Sequence, residues 1–356
     1  MAHAPGRVEL LGNHTDYNEG IVLSAAINRG MTVRGGARDD GRIVMTDHGL
    51  DKRLEVALAD FGKQEEESWA NYPLGVVRIF EKQGYKVGGF ELEIVSDLPI
   101  GAGLSSSAAF EVATATFLKK LFRWQIDPLQ VAKLCRQVEN EFVGVNCGLL
   151  DQVSCVFGKK NSAIFLDCRD ETVETVEFPG SVALLITHSG VKHALIGGEY
   201  NERREQCFSA AAKLGAHALR EVTSSELEAA RGKLTDLEHR RAAHVVGEIE
   251  RVGEGIEFLR TGNVRGFGEL MFASHESSRT NFENSTAELD ALVKIAREEK
   301  GVHGSRLTGG GFGGATVSLV EAGEAERIAA SFQNKYRKET GIECHTYLCE
   351  IDDGAL

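Results

Sequence analysis

A short segment rich in glycine and serine is a candidate anion-binding loop. Leu98-Pro99-Ile100-Gly101-Ala102-Gly103-Leu104-Ser105-Ser106-Ser107 lies between a strand-like run and a helical pattern that begins at the serines. Glycines adopt backbone angles that are closed to other residues and let a ligand approach the main chain. Serine hydroxyls and free amides at a helix N-terminus, beside the positive end of the helix dipole, favour an anion. The pattern therefore indicates a phosphate loop, with an ordinary N-capped helix after a glycine turn as the alternative.

Two further segments combine residue types that serve binding sites. Residues 6–20 begin as a strand and then place Asn13, His14, Thr15 and Asp16 together in one turn. Residues 306–314 hold five glycines and one aromatic residue. Such a loop is costly in backbone entropy, which suggests close approach to a ligand or to another backbone.

Other common phosphate-binding and catalytic motifs are either absent from this sequence or occur in the wrong structural context. No glycine-lysine-serine/threonine triplet occurs, which excludes a Walker-type loop, and no GxSxG, HExxH or HRD motif is present. Gly309-x-Gly311-x-x-Gly314 matches a dinucleotide fingerprint by its letters, but it leads into a strand-like segment instead of a helix.

The strands and helices predicted around these segments indicate an α+β fold. Alternation and β-branched runs predict strands at 6–11, 21–27, 43–46, 90–95, 163–167, 182–187, 315–320 and 344–349. Apolar periodicity predicts helices at 106–121, 128–143, 199–214, 245–259, 287–298 and 324–338. Strands cluster first and then mix with helices without a regular βαβ rhythm, which favours α+β over a doubly wound sheet. A turn at Phe178-Pro179-Gly180 predicts a domain boundary.

Composition and charge exclude several classes of partner. The 356 residues include 40 basic and 53 acidic side chains, for a net charge of −13. That excess repels nucleic acid and anionic lipid, and no apolar stretch approaches the roughly 20 residues that cross a bilayer. The seven cysteines form no CxxC pair and are odd in number, which favours reduced thiols and a cytoplasmic protein.

The three polar segments together resemble the signature motifs of the GHMP small-molecule kinases, and residues 6–20 narrow the resemblance to galactokinases. Residues 144–152, 198–204 and 268–271 are also similar to galactokinase segments, so the resemblance covers nearly the whole chain. Only the N-terminal leader of the family lacks a counterpart. The resemblance implies a two-domain fold with mixed sheets and helices, domains at 1–179 and 180–356, and an active site in the cleft between them.

The resemblance also implies roles for individual residues. Asp151 would be the base that takes the proton from the sugar's anomeric hydroxyl, and Arg7 would lie beside it and the transferring phosphoryl group. Ser107 and Glu139 match magnesium ligands, and oxygen ligands suit Mg²⁺. The residues that would hold the ATP phosphates are Gly101, Ala102, Gly103, Leu104, Ser105, Ser106 and Ser107. The residues that would bind the sugar are Asn13, His14, Thr15, Asp16, Gly148 and Tyr200.

One departure from the family pattern concerns the sugar. Asn13 stands where galactokinases have a glutamate that accepts a hydrogen bond from the C6 hydroxyl. Asparagine is neutral and can also donate, so its presence predicts looser selection at C6, with galacturonate or arabinose tolerated. The alternative is a conservative exchange that leaves galactose as the substrate.

The predicted function is therefore ATP-dependent phosphorylation of the C1 hydroxyl of galactose, with Mg²⁺, in a monomer or weak homo-oligomer. A sister kinase for galacturonate, arabinose or N-acetylgalactosamine is the first alternative. A non-catalytic sugar and ATP sensor is the second, and it is disfavoured because Asp151, Glu139 and the three serines are all present.

Overall fold

Two β-sheets with helices packed against them make up the described part of the chain, residues 1–99, 101–191 and 196–356 of a computed structural model. The strands are β1 (Ala2–Leu11), β2 (Ile21–Arg38), β3 (Arg42–Asp47), β4 (Lys52–Ala57), β5 (Gly89–Ser96), β6 (Ser162–Asp167), β7 (Thr172–Glu177), β8 (Val182–His188), β9 (Val302–Thr308), β10 (Ala315–Glu321) and β11 (His345–Cys349). The helices are α1 (Asn71–Lys82), α2 (Ser106–Phe122), α3 (Pro128–Gln137), α4 (Leu150–Phe157), α5 (Ile196–Leu214), α6 (Ser224–Ala229), α7 (Asp236–Arg260), α8 (Val264–Ser277), α9 (Ala287–Glu298) and α10 (Ala325–Thr340).

The first sheet has the order β4-β3-β5-β2-β6-β7, with β1 paired to β2. It is mixed, because β3 and β5 run parallel while the other pairs are antiparallel. Strand β1 is buried along almost its whole length, since α2 and α4 from the first half of the chain and α7 and α8 from the second half all pack against it. The strand that begins residues 6–20 therefore lies where the two halves of the chain meet.

The second sheet is antiparallel throughout, in the order β11-β8-β10-β9. Helices α9 and α10 contribute to a hydrophobic cluster on it. Helix α8 lies very close to β9, because a Cβ on Gly268 would stand only 2.0 Å from the carbonyl oxygen of His303. This approach fixes β9, whose end leads into the glycine loop at 309–314.

The predicted boundary at Phe178-Pro179-Gly180 falls between β7 and β8. Each sheet lies wholly on one side of it in sequence. The division into domains at 1–179 and 180–356 stays a prediction. The α+β class predicted from the order of the elements is confirmed.

The predicted strands and helices are all found, with one correction. The helix predicted at 128–143 ends at Gln137 and continues as a π-helical turn, Val138–Val143, which closes at Gly144 in the left-handed conformation. Apolar spacing alone cannot distinguish the wider turn from an α-helix. The turn matters because it carries Glu139, and π-turns are frequent at functional sites.

Several elements were not predicted. Strands β4 and β7 close the two ends of the first sheet's strand order, and their exposed positions carry polar residues that hide the strand pattern. Helix α1 contains Pro73 and Gly75, which argue against a helix in sequence, and α4 has only 8 residues. Helices α6 and α8 and strand β9 were also missed.

Two further features of the structure concern membrane-spanning helices and the state of the cysteines. No helix in residues 1–99, 101–191 and 196–356 is long and apolar enough to cross a membrane. All seven cysteines lie within these residues, and each has a free thiol.

Candidate active site

A cavity of about 330 Å³ opens between β1, the start of α4 and the start of α5. Its lining includes most of the predicted sugar-binding residues, both predicted catalytic residues and one predicted metal ligand, from both halves of the chain: Asn13, His14, Asp16, Gly148, Tyr200, Arg7, Asp151 and Glu139. The lining residues that were not predicted are Glu9, Gly144, Val145, Asn146, Cys147, Leu150, Asn201, Gly309 and Gly310.

Asp151 lies in the first turn of α4 and is held on both carboxylate oxygens. Arg7 approaches Oδ1 with Nε at 2.8 Å and Nη2 at 2.6 Å, while the Ser105 hydroxyl donates to Oδ2 at 2.5 Å. The Asp151 side chain is 27% exposed, so it faces the cavity. Because both partners donate, the carboxylate stays oriented and available as a proton acceptor.

Arg7 joins the predicted base to the phosphate loop. Its Nη1 donates to the carbonyl oxygen of Gly103 at 2.6 Å, and its backbone N–H donates to Leu104. Burial acts to lower the pKa of Arg7, but the charges of Asp151 and Glu9 outweigh it and the pKa is raised. The guanidinium therefore remains charged between Asp151 and the predicted phosphate loop.

The phosphate loop has the backbone that its glycines predict. Gly101 and Gly103 have φ of 77° and 67°, and Ser105 has φ of 56° at the N-cap of α2. Ser105 makes no side-chain cap to the helix, because its hydroxyl is directed to Asp151. Ala102 and Leu104 are buried, whereas Gly101, Gly103 and Ser106 are exposed. The uncapped amides at this helix N-terminus suit an anion.

The third glycine segment packs directly on the phosphate loop. A Cβ on Gly309 would stand 3.2 Å from the carbonyl oxygen of Gly103, and a Cβ on Gly103 would stand 3.1 Å from that of Thr308. Both residues have a positive φ. This confirms the second of the two explanations for the glycine-rich segment, close approach to another backbone. As expected, residues 309–314 lead into a strand, β10.

Ser107 and Glu139 lie together near Asp151, the predicted base. Burial and the charge of Asp151 raise the pKa of Glu139, and a hydrogen bond from Ser107 opposes that shift. The Gln152 amide also donates to Glu139, at 3.4 Å. Within the described residues, no group of three or more histidine, cysteine, aspartate or glutamate side chains is arranged to hold a metal ion by itself. One hydroxyl and one buried carboxylate fit a cation that takes its remaining ligands from phosphate and water, as Mg²⁺ does.

The side chain of Asn13 lies on the cavity wall but is occupied by the protein. It is 1% exposed, and its Nδ2 donates to Glu9 at 3.1 Å and to the carbonyl oxygen of Gly309 at 2.9 Å. Its Oδ1 accepts from Asn284 at 2.9 Å, with Ser278 at 3.5 Å.

The neighbours of Asn13 in the turn differ in how far they reach the cavity. The ring nitrogens of His14 bond to the Tyr17 hydroxyl at 2.9 Å and to the carbonyl oxygen of Gly310 at 3.0 Å, and burial lowers its pKa to about 4. His14 is therefore neutral and firmly fixed. Thr15 is fully buried and does not line the cavity, since its hydroxyl donates to Gly12 and Ile21 within the turn.

Asp16 and Gly148 line the cavity and lie in direct contact with each other. A Cβ on Gly148 would stand 1.9 Å from Oδ2 of Asp16, so no side chain fits there. Burial, followed by repulsion from Asp151, raises the pKa of Asp16 to about 6. Tyr200 in α5 completes this side, with its ring 5.1 Å from that of His14.

The buried support of the turn was missed in sequence. Glu248 in α7 is fully buried and accepts from the backbone N–H groups of Gly12 and Asn13, both at 2.9 Å. Arg251 and other neighbouring cations lower the pKa of Glu248 despite its burial. A glutamate on a long amphipathic helix gives no local sign of such a role, but Glu9, an acid within the apolar run of β1, was a detectable signal.

Comparisons with known proteins agree with this geometry. Family models match in three places: the galactokinase galactose-binding signature at residues 1–36, the GHMP kinases N terminal domain at 71–159, and the GHMP kinases C terminal domain at 256–338. Galactokinase from Homo sapiens is 43% identical over 99% of this chain and 90% of its own length. The chain belongs to the galactokinase family. Galactokinase from Thermotoga neapolitana is 39% identical over 99% of this chain and 98% of its own.

Solved structures place the fold in the same family. A Lactococcus lactis galactokinase complexed with galactose superimposes with a TM-score of 0.96 at 32% identity, over 100% of this chain and 94% of that one. A mevalonate kinase matches with a TM-score of 0.70 at 20% identity, over 99% of both chains, and shows the fold alone. The predicted GHMP kinase fold and sugar kinase class are confirmed. The family implies ATP with a divalent cation in general.

Proposed function

We propose that this chain transfers the γ-phosphoryl group of ATP to the C1 hydroxyl of galactose, giving galactose 1-phosphate and ADP. The observation that carries the proposal is the position of Asp151. Arg7 and Ser105 hold its carboxylate between the phosphate loop and the cavity that Asn13, His14 and Asp16 help to line. Asp151 would therefore act between a site for the nucleotide and a site for the sugar.

The residues divide the work of a direct in-line transfer. Asp151 accepts the proton of the C1 hydroxyl as the oxygen attacks the γ-phosphorus, and the bond from that phosphorus to the ADP oxygen breaks. Arg7 stabilises the charge on the transferring group from its buried site beside Asp151. The amides and hydroxyls from Gly101 to Ser107 hold the ATP phosphates. Ser107 and Glu139 would hold Mg²⁺, which would help to neutralise the negative charge of the phosphates.

Galactose is favoured as the sugar by the match of the galactose-binding signature to residues 1–36, which contain Asn13, His14 and Asp16. Within the cavity, Asp16, Gly148 and Tyr200 are available to the sugar. Thr15 acts from within the turn, because its hydroxyl is committed to Gly12 and Ile21. The monomeric or weakly associated state and the cytoplasmic location remain predictions.

A panel assay tests the proposal. ADP release is measured with galactose, galacturonate, arabinose and N-acetylgalactosamine, and the phosphorylated position is read by ³¹P NMR. We expect galactose to give the highest kcat/KM and the product to be the 1-phosphate. Asp151→Asn is expected to lower kcat by about 10²- to 10⁴-fold, the usual contribution of a general base. ATP and sugar binding without ADP release from any sugar would instead indicate a sensor.

A further inference from the structure

The hydrogen bonds of Asn13 leave it little capacity for a substrate. An asparagine side chain has two N–H donors and two acceptor positions. Both donors are used, by the carboxylate of Glu9 and the carbonyl oxygen of Gly309. The oxygen accepts from Asn284 and faces Ser278. A side chain so fully engaged is poorly placed to bind a sugar hydroxyl.

The carboxylate of Glu9, next to Asn13, has unused hydrogen-bond acceptor positions. This carboxylate lines the cavity, is only 3% exposed, and accepts a hydrogen bond from Asn13 alone among the described side chains. A carboxylate has about four acceptor sites, so most of its capacity remains open. Its backbone N–H donates to the Thr308 hydroxyl at 2.9 Å, which fixes this point of β1.

Cations on both sides support a negative charge at Glu9. Nη1 of fully buried Arg306 lies 3.8 Å from Oε1 of Glu9, and Nε and Nη2 of Arg306 have no partner in the described residues. Arg7 also acts on it electrostatically. Burial raises the pKa of Glu9 to about 7, against the effects of Arg306 and Arg7. Further hydrogen bonds from a ligand would favour the ionised form.

The spacing of residues along β1 sets the distance of Glu9 from Arg7, and therefore from the predicted base Asp151. Arg7 and Glu9 are two residues apart on β1, so their side chains point to the same side, and two strand residues span about 6.6 Å. Because Arg7 holds Asp151, a sugar with C1 at Asp151 would extend its other end towards Glu9.

We infer that Glu9, with Asn13 as its positioning residue, supplies the carboxylate that accepts a hydroxyl at the end of the sugar away from C1. This inference rests on the proposed function. It reverses the expectation drawn from Asn13 alone: the negative charge missing at position 13 stands at position 9 in the same cavity. The chain should therefore select a C6 hydroxyl and reject a C6 carboxylate such as that of galacturonate.

Steady-state kinetics with galactose, 6-deoxygalactose and galacturonate test the inference. In Glu9→Gln we expect KM for galactose to rise about 10- to 100-fold, because a charged acceptor is lost, with a smaller change in kcat. The preference for galactose over 6-deoxygalactose should shrink, and so should the rejection of galacturonate. The exchange variant Glu9→Asn with Asn13→Glu should recover most of the preference, since it returns one carboxylate and one amide to the pair.

Glu238→Gln is the matched control. Glu238 is a buried carboxylate hydrogen-bonded to Ser209 and Lys213, away from the cavity. Its loss should lower the melting temperature without changing KM for either sugar. Unchanged KM and sugar preference in Glu9→Gln would overturn the inference, as would efficient use of galacturonate by the wild type. Should Glu9→Gln not fold, loss of the preference in the exchange variant would overturn it.

Galactose binding by calorimetry separates this inference from the proposed function. If the wild type binds galactose but releases no ADP, the proposed function fails, while weaker binding by Glu9→Gln still supports the role of Glu9. If the wild type binds no galactose, both fail.

Discussion

Gly148→Ala adds one methyl group where the cavity has no room for it. The new Cβ would stand 1.9 Å from Oδ2 of Asp16, 2.5 Å from its Cγ and 2.9 Å from its Cβ. Real Cβ atoms essentially never come within 3.0 Å of another heavy atom, so the Asp16 carboxylate must retreat by about 1.1 Å (3.0 − 1.9). The substitution thus moves a predicted sugar ligand without changing its chemistry.

The displacement sets the expected size of the effect. A misplacement of about 1 Å in a substrate-positioning group can cost about 10²-fold in rate. We expect kcat/KM for galactose to fall by about 10- to 100-fold. KM for ATP should remain within about twofold, because the phosphate loop is held through Arg7 and not through Asp16.

The assay is coupled ADP release with each substrate varied in turn, together with a thermal melt. Gly253→Ala is the matched control, since Gly253 is exposed in α7 and an added Cβ would meet nothing within 4 Å. That control should keep full activity and gain about 0.5–1 kcal/mol of stability, the usual cost of glycine in a helix. Unchanged kcat/KM for galactose in Gly148→Ala would refute the placement of Asp16 at the sugar.

Three further predictions concern the residues around the cavity. Arg7→Lys removes the paired contact to Asp151 and is expected to lower kcat about 10- to 100-fold, as read from single-turnover phosphoryl transfer. Glu248→Gln weakens the buried acceptor for the turn and its pair with Arg251 (2.6 Å), so unfolding in urea should show a loss of about 3 kcal/mol; an unchanged midpoint would contradict this. Because burial raises the folded-state pKa of Glu9 to about 7, its contribution to stability is present below about pH 4.5 and is lost as the pH rises through 7. Relative to the wild type, melts of ligand-free Glu9→Gln should therefore improve between pH 5 and 8, by up to about 3 kcal/mol.

The pH prediction depends on the charged groups that face Glu9. Arg306 and Arg7 lower its pKa and Asp16 raises it, so only the difference between variant and wild type isolates Glu9. A difference in melting temperature that does not change with pH would show that Glu9 keeps one protonation state across this range.

Most strands and helices of this protein, and its three polar segments, could be predicted from the sequence. Period-two and helical spacing located most strands and helices, because burial of one face imposes those periods. Glycines and serines at 101–107 predicted a helix N-terminus with strained turns, and the positive φ values at Gly101, Gly103 and Ser105 agree. The resemblance of residues 144–152 to a galactokinase segment then predicted Asp151 as the base.

Tertiary structure alone decided which polar groups face each other. The partners of Asn13 include Asn284 and Gly309, which are far away in sequence, and Glu248 reaches the same turn from α7. Sequence spacing carries no information on such contacts, since they follow from sheet register and helix packing. In the sequence, Asn13 in place of the family's glutamate predicted that the sugar site lacks a negative charge. The fold places the Glu9 carboxyl group 3.1 Å from its amide, so an acidic side chain still lines the cavity, four residues earlier in the chain.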